Sequence, residues 1–257
     1  MALKIHHLHC GSYCPLHSRV VTKALFPADH FDCHCLLIED QERLILVDTG
    51  LPEEINSKKL FIVGAQIKEE QTAKHQVEKL GFKAADITDI IVTHLDYDHV
   101  GGLKDFPNAR IHLHAREFEF TKSFPQKFDY RFDPNLWKVP NEFVRYSEPG
   151  EGWMGFESIQ MFSDLSSEIL MIPLFGHSLG HTGVAIQFEN KWLLHAGDAF
   201  FFKDDLSFNF SRKNILSEAL QAFSAMDNSA RINNLVALSK LYKADKCKII
   251  NSHDPNL

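Results

Sequence analysis

No run in this chain approaches the roughly 18 apolar residues that a membrane span requires. The opening residues, Met1 to His7, also lack the apolar stretch of a secretory leader, so neither a signal peptide nor a membrane location is expected. Basic runs are missing too. Lysine and arginine number 27 against 34 aspartates and glutamates, a formal net charge of -7. That balance argues against a nucleic-acid partner, which calls for a basic face. Cysteine is scarce: Cys10, Cys14, Cys33, Cys35 and Cys247 form an odd set of five. Without a leader they read as reduced thiols of a cytoplasmic protein. Either close pair has the spacing for redox or metal chemistry, but small, buried apolar residues is the favoured reading. Internal repeats and low-complexity segments are absent as well.

What the chain does have is a full core and a surplus of histidine. Hydrophobic residues make up 44% of 257, enough for one large domain spanning 1–257, and histidine occurs 15 times. The densest cluster is Thr93-His94-Leu95-Asp96-Tyr97-Asp98-His99-Val100-Gly101-Gly102. His94, Asp96, Asp98 and His99 all carry metal-ligand side chains. An apolar strand, Asp89–Thr93, feeds the cluster and Gly101-Gly102 turns the chain after it, as in a metal-binding loop.

The first half reads as β-rich, with strands at Lys4–His9, Cys33–Glu39, Arg43–Asp48 and Ala109–His114. The spacing of Ile67, Ala73, Val77 and Leu80 predicts a helix over 66–80, stopped at Gly81. A short helix is expected at Arg116–Lys122. Residues 123–155 are rich in aromatics without a clear period: Phe124, Phe128, Tyr130, Phe132, Trp137, Phe143, Tyr146 and Trp153. Two readings stay open for this insertion. It is a surface loop pinned to the core, with room for a homodimer contact, or a cap that gives the site apolar walls. The second half repeats the order, with strands at Ser158–Phe162, Glu168–Pro173, Gly183–Phe188, Trp192–Ala196 and Lys248–Asn251, and helices at Ser211–Met226 and Ala230–Tyr242. Two such halves suit two sheets packed between outer helices.

Three later segments again place candidate ligands just past a strand: Gly176-His177-Ser178-Leu179-Gly180-His181, Gly197-Asp198 and Ser252-His253-Asp254. Together with His94-x-Asp96-x-Asp98-His99, in this order and over essentially the whole chain, they resemble the metallo-β-lactamase-fold hydrolases. The nearest look is to the N-acyl homoserine lactonase-like branch. The resemblance implies an α/β fold, a four-layer αβ/βα sandwich with the site at one edge. It also implies two divalent metal ions. His94, Asp96 and His177 would hold one, Asp98, His99 and His253 the other, and Asp198 would bridge them. Asp48, in Val47-Asp48-Thr49-Gly50, and His181 would stand behind the ligands. A hydroxide shared by the ions would attack an ester or lactone carbonyl of a small substrate, with Asp98 and Asp198 as the catalytic carboxylates. His195 has no matched role.

Two positions depart from the family pattern. Asp96 stands where most relatives have histidine; a carboxylate there makes the metal a weaker Lewis acid and shifts preference from zinc, the default, towards iron or manganese. Phe201 stands where the lactonase branch often has a tyrosine, so a hydroxyl donor to the carbonyl oxygen is missing at that position. With Phe202, Phe208 and Phe210, residues Phe200 and Phe201 read either as core or, joined by Trp137 and Trp153, as an apolar substrate pocket. A phosphodiesterase or thioesterase would use the same site, and a low-turnover ligand binder or a di-iron redox protein remains an alternative class.

Overall fold

The computed structural model describes every residue except 1–2, 42, 55–63, 124–130, 149, 166, 209–210 and 257. Phe124, Phe128, Tyr130 and Phe210 therefore lie outside the described residues. In chain order, the first half contains β1 (Lys4–Tyr13), α1 (Arg19–Leu25), β2 (Phe31–Asp40), β3 (Arg43–Val47), β4 (Ala65–Gln66), α2 (Ala73–Lys79) and β5 (Asp89–Ile91). It continues with α3 (Tyr97–Val100), β6 (Arg110–His114), α4 (Ala115–Ser123), α5 (Pro134–Trp137) and β7 (Phe143–Tyr146). The second half holds β8 (Ile159–Gln160), β9 (Ile169–Pro173), β10 (Thr182–Phe188), β11 (Lys191–His195), α6 (Arg212–Ser224), α7 (Asn228–Lys243) and β12 (Lys248–Ile250).

The strands form a seven-stranded sheet, ordered β4-β1-β2-β3-β5-β6-β7, and a five-stranded sheet, ordered β12-β11-β10-β9-β8. The two-residue period of a strand sorts their side chains into layers. Leu36, Ile38, Ile45, Val47 and Ile91 of the first sheet share one buried cluster with Ile169, Met171, Val184, Ile186, Leu193 and Ile250 of the second. The alternate residues point outwards. Leu37, Leu46, Ile90 and Ile111 meet Ala73 and Val77 of α2; Leu170, Ile172, Ala185 and Leu194 meet Leu235, Leu238 and Leu241 of α7. Helix, sheet, sheet and helix thus stack as the αβ/βα sandwich that the sequence led one to expect.

One expectation is corrected, and two features go beyond the sequence reading. The helix expected over 66–80 starts only at Ala73, because the Thr72 hydroxyl accepts from the His75 N–H and caps it there; Ala65–Gln66 instead pairs with β1. Helix α1 was not foreseen. Ser18 caps it, but Val20 and Val21 on it are exposed, so it has no apolar period to read. Part of the stretch 123–155 joins the first sheet. Its β7 runs parallel to β6, with Ile111 opposite Phe143, and completes the first sheet.

Candidate metal centre

Each expected ligand emerges where a strand ends. Val92 and Thr93 lead from β5 to His94; Asp96 sits just before α3, on which Asp98 and His99 lie one after the other. Asp48 follows β3, His177 and His181 lie in the β9–β10 connection, Asp198 follows β11, and His253 follows β12. All nine are buried.

The side chains converge as the two halves of one centre. His94, Asp96 and His177 form one group with ligand atoms within 4.8 Å of one another; Asp98, His99 and His253 form another; His94, His99 and Asp198 form a third that joins them. Asp198 lies between. Its Oδ1 is 3.3 Å from His99 Nε2, and its Oδ2 is 2.7 Å from His253 Nε2 and 3.5 Å from His177 Nε2. Asp96 Oδ2 stands 3.4 Å from His94 Nε2 and 3.1 Å from His177 Nε2.

Partners behind the imidazoles decide which nitrogen faces inwards. Asp48 Oδ2 accepts from His99 Nδ1 at 2.8 Å. It also accepts from the Thr93 hydroxyl, and Oδ1 takes the Thr93 N–H, both at 2.8 Å. The Thr93 hydroxyl has then given away its one proton, so it accepts from His94 Nδ1 at 3.0 Å. His253 Nδ1 donates to the Asp32 carbonyl at 2.8 Å. With Nδ1 committed outwards in His94, His99 and His253, their Nε2 atoms point at three carboxylates. His94 Nε2, His99 Nε2, Asp96 Oδ1 and Asp198 Oδ1 are buried without a hydrogen-bond partner. Such a cluster of inward acceptors fits a cation, so the residues present suit the metal ions that the sequence implied.

The electrostatics agree. Burial opposes ionising Asp198, yet His253 and His99 hold its carboxyl well below the usual carboxylate range. Asp96 is held there too, against its burial, by Arg131 and His94. Burial pushes Asp98 upwards, with His99 and His253 opposing. His99 is raised well above the usual imidazole value although burial resists, because Asp198, Asp48 and Asp98 surround it. The carboxylates thus demand positive charge at the Nε2 end of the ring, whether from a proton or from a metal ion.

His181 stands behind Asp198. Its Nδ1 donates to the Leu174 carbonyl at 3.0 Å and its Nε2 accepts from the Asp198 N–H at 2.9 Å. Gly197 makes this approach feasible: a Cβ there would lie 2.6 Å from His181 Nε2, and its φ of +54° favours glycine. Of the expected pocket aromatics, one is at the centre. The Phe201 ring lies 4.9 Å from that of His253 and 6.1 Å from that of His177. Phe200, Trp153 and Trp137 are corrected to core positions. Phe200 and Trp153 fill the cluster under α7, and Trp137 fills the outer face of the first sheet. His195 stacks on His34, and burial draws it down to about 4. All five cysteines are free and buried, in keeping with the favoured reading.

Three residues at the centre were missed. Glu117, on α4, accepts from Leu95 N at 3.0 Å, from the Ser178 hydroxyl at 2.6 Å and from Gly180 N at 3.0 Å, tying the two ligand loops together. A Cβ on Gly180 would lie 2.1 Å from Glu117 N, so the loop needs glycine there. Tyr13 brings its hydroxyl within 3.3 Å of His253 Nε2. Arg131 donates from Nε to Asp96 Oδ2 at 2.8 Å. No local spacing links any of the three to the ligands.

Comparison with known proteins bears on this geometry. A sequence model of the Metallo-beta-lactamase superfamily matches residues 28–253. A probable metallo-hydrolase of Mycobacterium tuberculosis is 30% identical over 265 residues, covering 99% of this chain and 81% of the relative. An N-acyl homoserine lactonase of Bacillus thuringiensis is 24% identical over 261 residues, covering 98% and 93%. The crystal structure of a quorum-quenching N-acyl homoserine lactone lactonase shares the fold, with a TM-score of 0.71 at 22% identity over 100% of this chain and 94% of that one.

Proposed function

The chain belongs to the metallo-beta-lactamase superfamily, and on that premise we propose that it is a dinuclear metal-dependent hydrolase of an ester or lactone bond in a small, apolar substrate. The observation that carries the reading is the inward set of Nε2 atoms and carboxylates around Asp198. His94, Asp96 and His177 would hold one ion and Asp98, His99 and His253 the second, with Asp198 between the two groups. Zinc is the default, and the added carboxylate of Asp96 makes iron or manganese the alternative. When bound, such ions lower the pKa of water to roughly 7 and polarise a carbonyl oxygen.

The protein's own groups supply the rest. Asp98, raised by burial, is placed to take up and return a proton. The Tyr13 hydroxyl, also pushed up by burial, stays protonated and, 3.3 Å from His253 Nε2, is placed to donate to a substrate oxygen there. It offers at this end the donor that Phe201 lacks. The Phe201 ring gives the acyl group an apolar contact. The lactonase relatives support a lactone among the substrates.

The test is a panel of lactones, esters, thioesters and phosphodiesters of graded chain length, run on metal-free protein reconstituted with zinc, iron or manganese. Turnover of lactones or esters that depends on metal and rises with acyl length is expected. Activity that survives metal removal would overturn the dinuclear reading, and a preference for phosphodiesters would overturn the substrate class.

A further inference from the structure

Arg131 enters the centre from outside the ligand motifs and is held on several sides. Its Nε donates to Asp96 Oδ2 at 2.8 Å. Its Nη2 lies 2.9 Å from His177 Nε2 and 3.3 Å from the His177 carbonyl oxygen. Its Nη1 donates to the carbonyl of Ser224, the last residue of α6. The side chain is buried, and its own carbonyl accepts from Tyr97 N at 2.9 Å, which fixes it to the ligand loop.

A guanidinium has only donors and keeps its charge in proteins. The Nε2 of His177 must therefore accept its N–H. An imidazole nitrogen has a single lone pair, and a lone pair engaged by an N–H does not bind a metal ion. Charge acts in the same direction, since a guanidinium on Asp96 repels a divalent ion brought to that carboxylate and answers the negative charge that would attract it. The other half faces no guanidinium among the described residues: Asp98 Oδ2 lies 3.8 Å from His99 Nε2 and 3.9 Å from His253 Nε2, and the Tyr13 hydroxyl, 3.3 Å from His253 Nε2, is neutral and free to rotate its proton away.

We propose that Arg131 is a resident cation of the His94–Asp96–His177 half-site and makes the two halves unequal, so that the Asp98–His99–His253 half fills first and tightly, and the other fills only when the guanidinium releases His177 Nε2. This rests on the two-ion reading above. Asp96 and Arg131 then act as a unit, a carboxylate whose charge is already met, and at limiting metal the protein carries one ion.

Metal-free wild type, Arg131→Gln and Arg131→Lys, each checked for native circular dichroism, are titrated with zinc alone by calorimetry and by competition with a chromophoric chelator. In wild type the first equivalent should bind at least ten-fold tighter than the second. Arg131→Gln should tighten the second by ten-fold or more and leave the first unchanged, while Arg131→Lys, which keeps the charge, should retain the gap. A folded Arg131→Gln whose second equivalent is unchanged or weaker overturns the proposal. If that variant does not fold, wild-type crystals grown with one equivalent of zinc decide: an anomalous peak confined to the Asp98–His99–His253 half supports it, and a peak of equal height at His177 overturns it. Two equivalents bound equally tightly by wild type would defeat this inference alone, whereas no zinc binding at all would defeat the two-ion reading beneath it.

Discussion

Asp198 and Thr93 show how much a single side chain settles at this centre. Asp198 lies against His99, His177 and His253 at once, so Asp198→Ala takes one carboxylate away from all three imidazoles. Metal content and hydrolysis should fall together, by more than the roughly 10–100-fold that loss of an outer partner costs; metal analysis beside kinetics checks this, and full activity in a metal-free variant would contradict it. Thr93 passes one hydroxyl between Asp48 and His94. Thr93→Val keeps the shape but leaves His94 Nδ1 and one Asp48 acceptor position unmet in the interior. A loss of about 1–3 kcal/mol in stability is expected, with metal affinity weakened roughly 10–100-fold, read by denaturant melts and zinc titration. His94, Asp98, His99, His177, Asp198 and His253 were legible in the sequence because each sits in a short motif at a strand end. Arg131, Tyr13 and Glu117 were not, because each reaches the centre across the fold from an unremarkable stretch of chain.

At the scale of elements, strands were easier to read than helix starts. Apolar runs such as Leu36–Ile38 or Ile169–Ile172 show buried strands directly, whereas α2 begins where one hydroxyl caps it, six residues after the apolar spacing begins to suggest a helix at Ile67. The aromatics of 123–155 show no clear period for a related reason: Phe143 and Tyr146 lie on an edge strand of the first sheet, and half-buried edge positions carry no clean period. The turn after Phe202 offers an element-level test. Asp205 Oδ2 accepts from Phe201 N at 3.2 Å, Phe202 N at 3.0 Å and Gln221 Nε2 at 3.0 Å, yet burial raises its carboxyl to about 6. The folded state thus holds the proton more tightly than the unfolded chain. This contribution is fully present below about pH 4 and is lost as pH rises through about 6, a change of about 3 kcal/mol. Asp205→Asn should flatten that slope and be the more stable protein at pH 7.5. Parallel melting profiles for the two proteins between pH 4 and 7.5 would refute the assignment.

At the scale of the whole molecule, the two-sheet sandwich was readable from the repeated β-then-α order and from the family resemblance, while the sharing of one buried layer by Leu36, Val47, Met171 and Val184 required the three-dimensional register. No helix among the described residues is long and apolar enough to cross a membrane. Metal binding should raise the melting temperature, since an ion that binds only the native state stabilises it by mass action. Thermal scans with chelator and with graded zinc test this, and a midpoint indifferent to both would contradict it.

The placement of the candidate ligands has one more consequence. His94, Asp96, Asp98 and His99 hang from the first sheet, whereas His177, Asp198 and His253 hang from the second. An ion gripped by both groups is a clasp across the sandwich, and the two sheets cannot part until it lets go. The lifetime of the native state then becomes tied to the ion's rate of escape: unfolding in denaturant should proceed slowly in the loaded protein and quicken as a chelator draws the metal off, even where the folding rate hardly changes.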